Sequence, residues 1–248
     1  MEHRLRPPYR WREERRRQLT GVPLAPWLAG IDPPSPRVPL SPAFFLRPVA
    51  EVARDLLGCV LVSTVGEIRT SGVIVETEAY GGAEDPASHA ATRGGVTPRN
   101  RAMFGPAGRA YVYRSYGMHW CMNVVAGPAG TAAAVLLRGL DPLEGREGML
   151  KRREGRRPLC SGPGRLTQAM EITDALYGHD LSLPPLAIRS GWAVDDALIG
   201  ISGRVGVSVA GTWPYRFFVR GSPGVSPARG AAASRPARDQ TRTRRERS

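Results

Sequence analysis

The stretch that decides the fold runs from residue 73 to residue 123 and reads VIVETEAYGGAEDPASHAATRGGVTPRNRAMFGPAGRAYVYRSYGMHWCMN. It opens with an apolar run, Val73–Val75, which predicts a strand and leads into Glu76, Glu78 and Tyr80. Side chains alternate between the two faces of a strand, so these last three are expected to project from the same face. Carboxylates, several tyrosines and an arginine within one segment indicate a polar pocket for a flat ring.

The second half of this stretch predicts a β-hairpin. An aromatic strand at 111–113 is followed by the turn Ser115-Tyr116-Gly117 and by a second strand that ends near Asn123. A bulky aromatic side chain at an exposed tip, next to an arginine, is costly unless something covers it. A wedge that enters the DNA minor groove and fills the space left by an extruded base needs such parts. The alternative is an ordinary hairpin whose tyrosines pack on the core.

The carboxylates at 76 and 78 admit two interpretations at this stage. A carboxylate beside an aromatic wall can act as a general base towards water or stabilise a developing cation. The alternative, a solvated strand face that carries both acids, is the better explanation of an E-x-E pattern alone, because short motifs recur by chance. His89, Asn123 and Arg138 are further candidates for the lining of a pocket. Each of them alone is weak evidence, and only their combination with the other candidates supports a site.

Charge is concentrated at the two ends of the chain. The net charge is +13; residues 1–40 hold 8 Arg against 4 acidic residues, and residues 225–248 hold 7 Arg against 2. Basic tails commonly contact nucleic acid with an affinity that weakens in salt; solvated tails without a fixed partner are the alternative. We predict a disordered basic arm at 1–40, one domain at 41–224, and a disordered basic tail at 225–248.

Several classes of chemistry are disfavoured by composition. The chain has a single lysine, Lys151, in a charged run, so Schiff-base chemistry through a side-chain amine is not expected. Cys59, Cys121 and Cys160 form no C-x-x-C pair, and the four histidines lack ligand spacing, which predicts a reduced protein without a metal or other cofactor. No apolar leader and no membrane-length run is visible. We therefore expect an intracellular protein without a signal peptide, cytoplasmic and nucleoid-associated if bacterial.

Along the domain, the apolar pattern predicts a mixed α/β (α+β) fold. A helix is expected between Pro48 and Gly58, because proline favours the start of a helix and glycine its end. The other predicted elements are a hairpin of 59–63 with 68–75, strands at 132–137, 205–209 and 215–219, and helices at 140–149 and 164–170. The start of the last helix could hold a phosphate on its free N–H groups, although a plain helix start is the more frequent case.

From residue 46 to residue 223 the sequence closely resembles the alkyladenine (3-methyladenine, methylpurine) DNA glycosylase family. The resemblance rests on ordered blocks that together are highly specific: VETEAY at 75–80, EDPASH at 84–89, TPRNRAMF at 97–104, AYVYRSYGMHWCMN at 110–123, VLLRGLDPLEG at 135–145, LCSGP at 159–163 and VRGSP at 219–223. It implies a single domain around a curved, mainly antiparallel sheet with a protruding β-hairpin, in agreement with the pattern above.

The resemblance also implies roles for individual residues. Glu78 aligns with the general base that activates water for attack on C1′ of the flipped nucleotide. Tyr116 aligns with the residue that intercalates into DNA, and Asn123 with one that sterically discourages the exocyclic amine of guanine. The residues that sandwich and hydrogen-bond the extruded base align with Tyr80, His89 and Tyr113; Arg138 aligns with an arginine near the catalytic acid and the nucleotide phosphate.

The activity implied is that of a monofunctional base-excision-repair glycosylase, which removes alkylated or deaminated purines from double-stranded DNA and leaves an abasic site. A monomer is expected, with no membrane partner. Two rivals stay open: a non-catalytic nucleic-acid-binding module that keeps the hairpin and the basic surface, and an RNA-directed hydrolase of the same shape. Retention of the acid at position 78 argues against the first, since a module that only binds has no need of it.

Overall fold

One long strand, β2, organises the sheet of this protein. The computed structural model describes residues 26–28, 38–88 and 95–227, and within them the sheet has eight strands. The strands are β1 (Val60–Ser63), β2 (Thr70–Tyr80), β3 (Ala110–Ser115), β4 (His119–Ala126), β5 (Ala133–Glu144), β6 (Leu186–Arg189), β7 (Ile199–Ser202) and β8 (Arg216–Val219). Every pairing between neighbouring strands in this sheet is antiparallel.

The position of β2 explains the curvature of the sheet. Its neighbours run in the order β3-β4-β5-β2-β1-β6, and β5 follows β2 along its whole length. On its other edge, the first part of β2 pairs with β1 and the part from Glu76 to Glu78 pairs with β8. The register between β2 and β5 shifts on both sides of Glu76. Such bulges bend a strand and increase its twist, so the second half of β2 turns away from β1.

Short helices cover one face of the sheet. They are α1 (Pro42–Phe45), α2 (Val49–Asp55), α3 (Arg146–Arg152) and α4 (Pro163–Met170), with single 3₁₀ turns at Pro26–Leu28, Arg101–Phe104, Asp174–Leu176 and Asp196–Leu198. The main core lies between these helices and the sheet and buries Leu61, Ile74, Leu137 and Leu166 completely. Each such side chain contributes about 1.5–3 kcal/mol by leaving water. Thr77, between the two acids of β2, faces α2 and donates to the Ala53 carbonyl at 2.7 Å.

The opposite face carries a smaller, more aromatic cluster. Its buried members are Met103, Tyr111, Val125, Ala132 and Ala134, and further aromatic side chains pack against them. This face is the one that β2 turns towards with its acidic residues, so the fold places carboxylates next to an aromatic surface.

The hairpin of β3 and β4 ends in a constrained turn. Tyr116 and Gly117 both have positive φ, at 48° and 68°, and Met118 N–H donates to the Ser115 carbonyl at 3.0 Å. Positive φ is natural for glycine but uncommon for tyrosine. The Tyr116 side chain is nevertheless 84% exposed, so the turn presents it to solvent instead of packing it.

The predicted fold class, a mixed α/β domain around a curved antiparallel sheet with a hairpin, is confirmed, as are the hairpin of β1 with β2 and the helices α2 and α4. The helix predicted at 140–149 was wrong. Residues up to Glu144 continue β5 against β2, and the helix begins at Arg146. The reason is Gly145, whose φ is 69° and where a Cβ would lie 2.3 Å from the Arg69 carbonyl oxygen, so the chain turns there.

The strand predicted at 205–209 was also wrong. The strand of this region is β7, which ends at Ser202, and residues 203–215 form a loop before β8. Alternating valines and glycines imitate the period of a strand, but backbone N–H groups of this loop bond elsewhere. Val205 N–H, for example, donates to the Glu78 carboxylate instead of to a neighbouring strand.

The predicted boundaries at residues 41 and 224 lie close to the ends of the sheet domain, and contacts continue past both. Trp27 donates from its indole Nε1 to Asp141 Oδ2 at 2.7 Å, and Leu28 is buried. Ser226 is buried and bonds to Glu76. Most of the predicted basic arm and tail lies outside the described residues.

Candidate active site

The sheet register lines up one row of side chains across four strands. Tyr111 of β3 lies opposite Asn123 of β4. Asn123 lies opposite Leu136 of β5, and Leu136 lies opposite Glu78 of β2. Directly opposed residues on antiparallel strands project from the same face, with Cβ atoms roughly 4.5–5.5 Å apart. Sequence positions separated by dozens of residues thus converge on one surface.

Glu78 is fully buried at one end of this row. Its Oε1 accepts from the Val205 N–H at 2.7 Å, and its Oε2 accepts from the Tyr80 hydroxyl at 2.9 Å and from Arg138 Nη1 at 3.3 Å. Burial raises the pKa of Glu78 above its ordinary value, and these three donors, with Arg138 the strongest, act in the opposite direction. A carboxyl with a raised pKa that still has partners for its ionised form suits a general base.

Glu76, two residues earlier, has a different environment. Its Oε1 accepts from Arg138 Nε at 3.0 Å, Arg216 Nε at 2.8 Å and the Ser226 hydroxyl at 2.8 Å, while Oε2 accepts from the Ser226 N–H at 2.6 Å. Glu76 therefore accepts four hydrogen bonds, three of them on Oε1, and is tied to two arginines and to Ser226. Among the described residues Glu78 has three donors, one of them on Oε1. Since each carboxylate oxygen offers about two acceptor positions, Oε1 of Glu78 keeps one position for water.

Arg138 connects the two acids. Its side chain is buried in β5 and donates to Glu76, to Glu78 and, through Nη2 at 3.2 Å, to the Ser226 hydroxyl. The pKa of Arg138 is raised: burial alone would lower it, and the two carboxylates outweigh burial. A permanently charged guanidinium therefore stays beside Glu78.

Tyr80, which donates to Glu78, also lines an aromatic cavity of about 670 Å³. The residues that line it include Tyr80, Tyr111, Tyr113, Asn100, Asn123, Met103, Ala87, Ser88, Tyr116, Gly206 and Val207. Its volume falls in the range of small-molecule sites, which is roughly 300–1,000 Å³. The rings of Tyr111 and Tyr113 lie 5.4 Å apart between centroids with an interplanar angle of 30°. Burial raises the pKa of Tyr80 and of Tyr113, which keeps both phenols neutral and able to donate.

Asn123 belongs to the lining of this cavity. It is buried, and its Nδ2 donates to the Tyr111 carbonyl at 3.1 Å, which fixes the plane of the amide. Tyr116 stands at the rim, on the hairpin turn. The structure therefore places Tyr80, Tyr113, Asn123 and Tyr116 in the lining of one cavity. Glu78 is connected to that lining through its hydrogen bond with Tyr80, and Arg138 bonds to Glu78 in turn. The individual roles of these residues stay predictions.

His89 lies outside the described residues; Ser88, which precedes it in the chain, lines the cavity. Tyr111 lines the cavity but was not predicted as a site residue from the sequence, although it shares the aromatic strand with Tyr113. Asp85 and Arg204 were also missed. Asp85 belongs to the EDPASH block, which was a usable signal, whereas Arg204 lies next to the segment that imitates a strand.

No group of three or more His, Cys, Asp or Glu in the described ranges could hold a metal ion. None of the helices found there has the length and apolar character that a membrane span requires.

Comparison with known proteins identifies the family. The model of the methylpurine-DNA glycosylase family matches residues 43–223. The chain is also 49% identical over 75% of its length to a protein of Rhodopseudomonas palustris (strain BisB18) that bears the name "Putative 3-methyladenine DNA glycosylase", with 90% of that protein covered. Relatives of the same name from Agrobacterium fabrum and Myxococcus xanthus are 50% and 47% identical, over 77% and 75% of this chain and 93% of each relative. This chain belongs to the methylpurine-DNA glycosylase family.

Proposed function

We propose that this protein is a monofunctional DNA glycosylase of base-excision repair, which flips alkylated or deaminated purines out of double-stranded DNA and hydrolyses their N-glycosidic bond. The observation that carries this proposal is the buried Glu78 carboxylate, which the described residues leave with one acceptor position on Oε1 and which bonds to Tyr80 in the lining of a tyrosine-rich cavity of about 670 Å³. Membership of the methylpurine-DNA glycosylase family and the names of the relatives support it.

The cavity suits a purine with a positive charge. Alkylation at N3 or N7 makes the ring electron-poor, and Tyr80 and Tyr113 offer π faces that attract such a ring by about 0.5–2 kcal/mol each. Asn123, which lines the cavity, would crowd the exocyclic amine of guanine and so exclude undamaged guanine. His89 is proposed to contact the base from the segment that follows Ser88.

The chemistry follows from Glu78 and Arg138. Cleavage passes through a sugar with oxocarbenium character, and an ionised carboxylate both stabilises that charge and accepts a proton from the attacking water. The open acceptor position on Glu78 is where that water would donate. Arg138 keeps the Glu78 carboxylate ionised. Because Arg138 is itself held by Glu76, it also limits rotation of the Glu78 side chain. The products are a free base and an abasic deoxyribose.

Extrusion of the base needs a group to occupy the vacated stack, and Tyr116 is proposed to do this. Its exposure of 84% and its backbone φ of 48° fit a residue held ready for a partner rather than for the core. Damaged bases pair weakly and cost less to extrude, which adds selectivity before the chemical step. Exposed Arg99, Arg101 and Arg114 near the hairpin would contact phosphates, with an affinity that falls as salt rises.

The proposed reaction ends at the abasic site. The one lysine, Lys151, is exposed on α3 and does not line the cavity, so the site has no lysine amine to form a Schiff base. Strand scission by the pure enzyme, with an adduct trapped by borohydride, would contradict this part of the proposal. A monomer bound to one duplex is proposed as the active form.

The test uses duplex oligonucleotides that carry hypoxanthine, 1,N6-ethenoadenine or a methylated purine. Wild type is expected to release the base, and Glu78→Gln to keep duplex binding without release, since the amide retains the size of the side chain but cannot take the proton. Glu147→Gln, an exposed acid on α3, is the matched control and should behave as wild type. Binding without release by wild type would favour the non-catalytic module, and release from RNA alone would favour the RNA-directed rival.

A further inference from the structure

Two loops each form a wall of the cavity, and a buried ion pair joins them. The first loop, 81–88, follows β2 and places Ala87 and Ser88 on one wall; the second, 203–215, precedes β8 and places Gly206 and Val207 on the other. We infer that Arg204 and Asp85 are positioning residues, which clamp these walls together and thereby hold Tyr80 and the Val205 N–H in place around Glu78.

The ion pair has the geometry of a clamp. Arg204 Nη1 donates to Asp85 Oδ2 at 2.5 Å and Nη2 donates to Asp85 Oδ1 at 2.8 Å, so the guanidinium and the carboxylate meet as two parallel bonds. The Arg204 side chain is fully buried and that of Asp85 nearly so, at 2% exposure. Nη1 also donates to the Ala79 carbonyl at 3.0 Å, which ties the clamp to the end of β2.

Asp85 organises the first wall. Besides the two bonds from Arg204, its Oδ2 accepts from the Gly81 N–H at 2.9 Å and its Oδ1 from the Ala87 N–H at 3.0 Å. All four acceptor positions of the carboxylate are therefore occupied. Burial alone would raise the pKa of Asp85, but these four donors outweigh it and the pKa is lowered, so the pair stays ionised. The loop that leads to His89 is thus fixed at its base.

Arg204 organises the second wall and the chemistry at once. Its guanidinium lies 4.8 Å from the centroid of the Tyr80 ring and 5.4 Å from that of Tyr215, so it supports the ring that lines the cavity. The next residue in the chain, Val205, donates its N–H to Glu78 Oε1 at 2.7 Å. Displacement of Arg204 would therefore move Tyr80 and remove a donor from Glu78 together. A residue that only stabilised the fold would have neither of these two effects on the site.

This inference rests on the proposed function, and its experiment separates the two. Single-turnover base release is measured against pH for wild type, Arg204→Lys, Arg204→Met and Asp85→Asn, at a temperature where each is folded by circular dichroism. Release by wild type is the test of the proposed function; the variants test only the clamp. Arg204→Lys keeps the positive charge but cannot make the two parallel bonds to Asp85. It therefore distinguishes the effect of geometry from the effect of charge.

All three variants are expected to lower the maximal rate by roughly 10- to 100-fold, the scale produced by a misplacement of about 1 Å. The acidic limb of the two Arg204 variants is expected to move to higher pH, because Glu78 loses the Val205 donor. Arg152→Lys is the control: it alters another largely buried arginine, which bonds to Thr70 and to the Ala169 carbonyl, and should leave rate and pH profile unchanged. Wild-type kinetics in Arg204→Lys, or lost stability with an unmoved rate and pH profile, would overturn the inference.

Discussion

Replacement of Arg138 by methionine should destabilise the protein in a manner that depends on pH. Methionine preserves the length of the side chain but removes donors to three buried acceptors, at 3.0 Å to Glu76, 3.3 Å to Glu78 and 3.2 Å to Ser226. Removal of one partner from a buried ion pair leaves an uncompensated charge and costs about 3–5 kcal/mol. We expect a loss of that size near neutral pH.

The pH dependence follows from the pKa of Glu78. Burial already raises this pKa above 4.5, and Arg138 is the strongest group that opposes the shift, so the variant should have a still higher value. A carboxyl whose pKa is higher in the folded state binds more protons there than in the unfolded state. Stability therefore falls as pH rises from the unfolded value through the folded value, and is level above it. Acidic buffer should recover part of the loss.

Urea unfolding, followed by tryptophan fluorescence at neutral and at mildly acidic pH, measures both effects. Arg69→Met is the control, since the ion pair of Arg69 with Glu144 is exposed, at 58% and 38%, and such pairs contribute about 0–1 kcal/mol. A loss for Arg138→Met no larger than the control, or one that is the same at both pH values, would refute the account of the buried network.

Three other predictions address the hairpin, the core and the N-terminal contact. Tyr116→Ala should leave stability within about 0.5 kcal/mol, because the side chain is exposed, yet slow base release from paired lesions more than from single strands; equal slowing on both, or none, would contradict a wedge. Leu137→Ala should cost about 2–5 kcal/mol in urea unfolding, since the side chain is fully buried; a cost below about 1 kcal/mol would contradict its place in the core. Trp27→Phe should cost about 1–3 kcal/mol by leaving Asp141 short of a donor; no change would show that the indole contact is not formed in solution.

The sequence was a good guide where a pattern is local. A period of two was enough to place Glu76, Glu78 and Tyr80 on one face, and the aromatic hairpin was visible from its turn residues. The family resemblance then directed attention to Asn123 and Arg138, which no local pattern distinguishes. The structure places Asn123 in the lining of the cavity and Arg138 beside Glu78, and the roles that the resemblance implies for them stay predictions.

Other features depend on contacts that no local pattern contains. Glu76 and Glu78 look alike in sequence, and their difference comes from Ser226 and Arg216, which lie 150 and 140 positions from Glu76. The continuation of β5 past Pro142 is set by pairing with β2, which overrides helical spacing. The role proposed for Arg204 depends on its contact with Asp85, which lies 119 positions away in another loop.

An ionised Glu78 is proposed to activate water for cleavage of the glycosidic bond. The measurement that decides this is single-turnover release of a methylated purine from duplex DNA, at saturating enzyme and across pH. The wild-type rate is expected to rise with pH through the pKa of Glu78 to a plateau, and Glu78→Gln is expected to be about 10²- to 10⁴-fold slower and to lack this acidic limb. An unchanged rate, or the same acidic limb, in Glu78→Gln would show that Glu78 does not have this role.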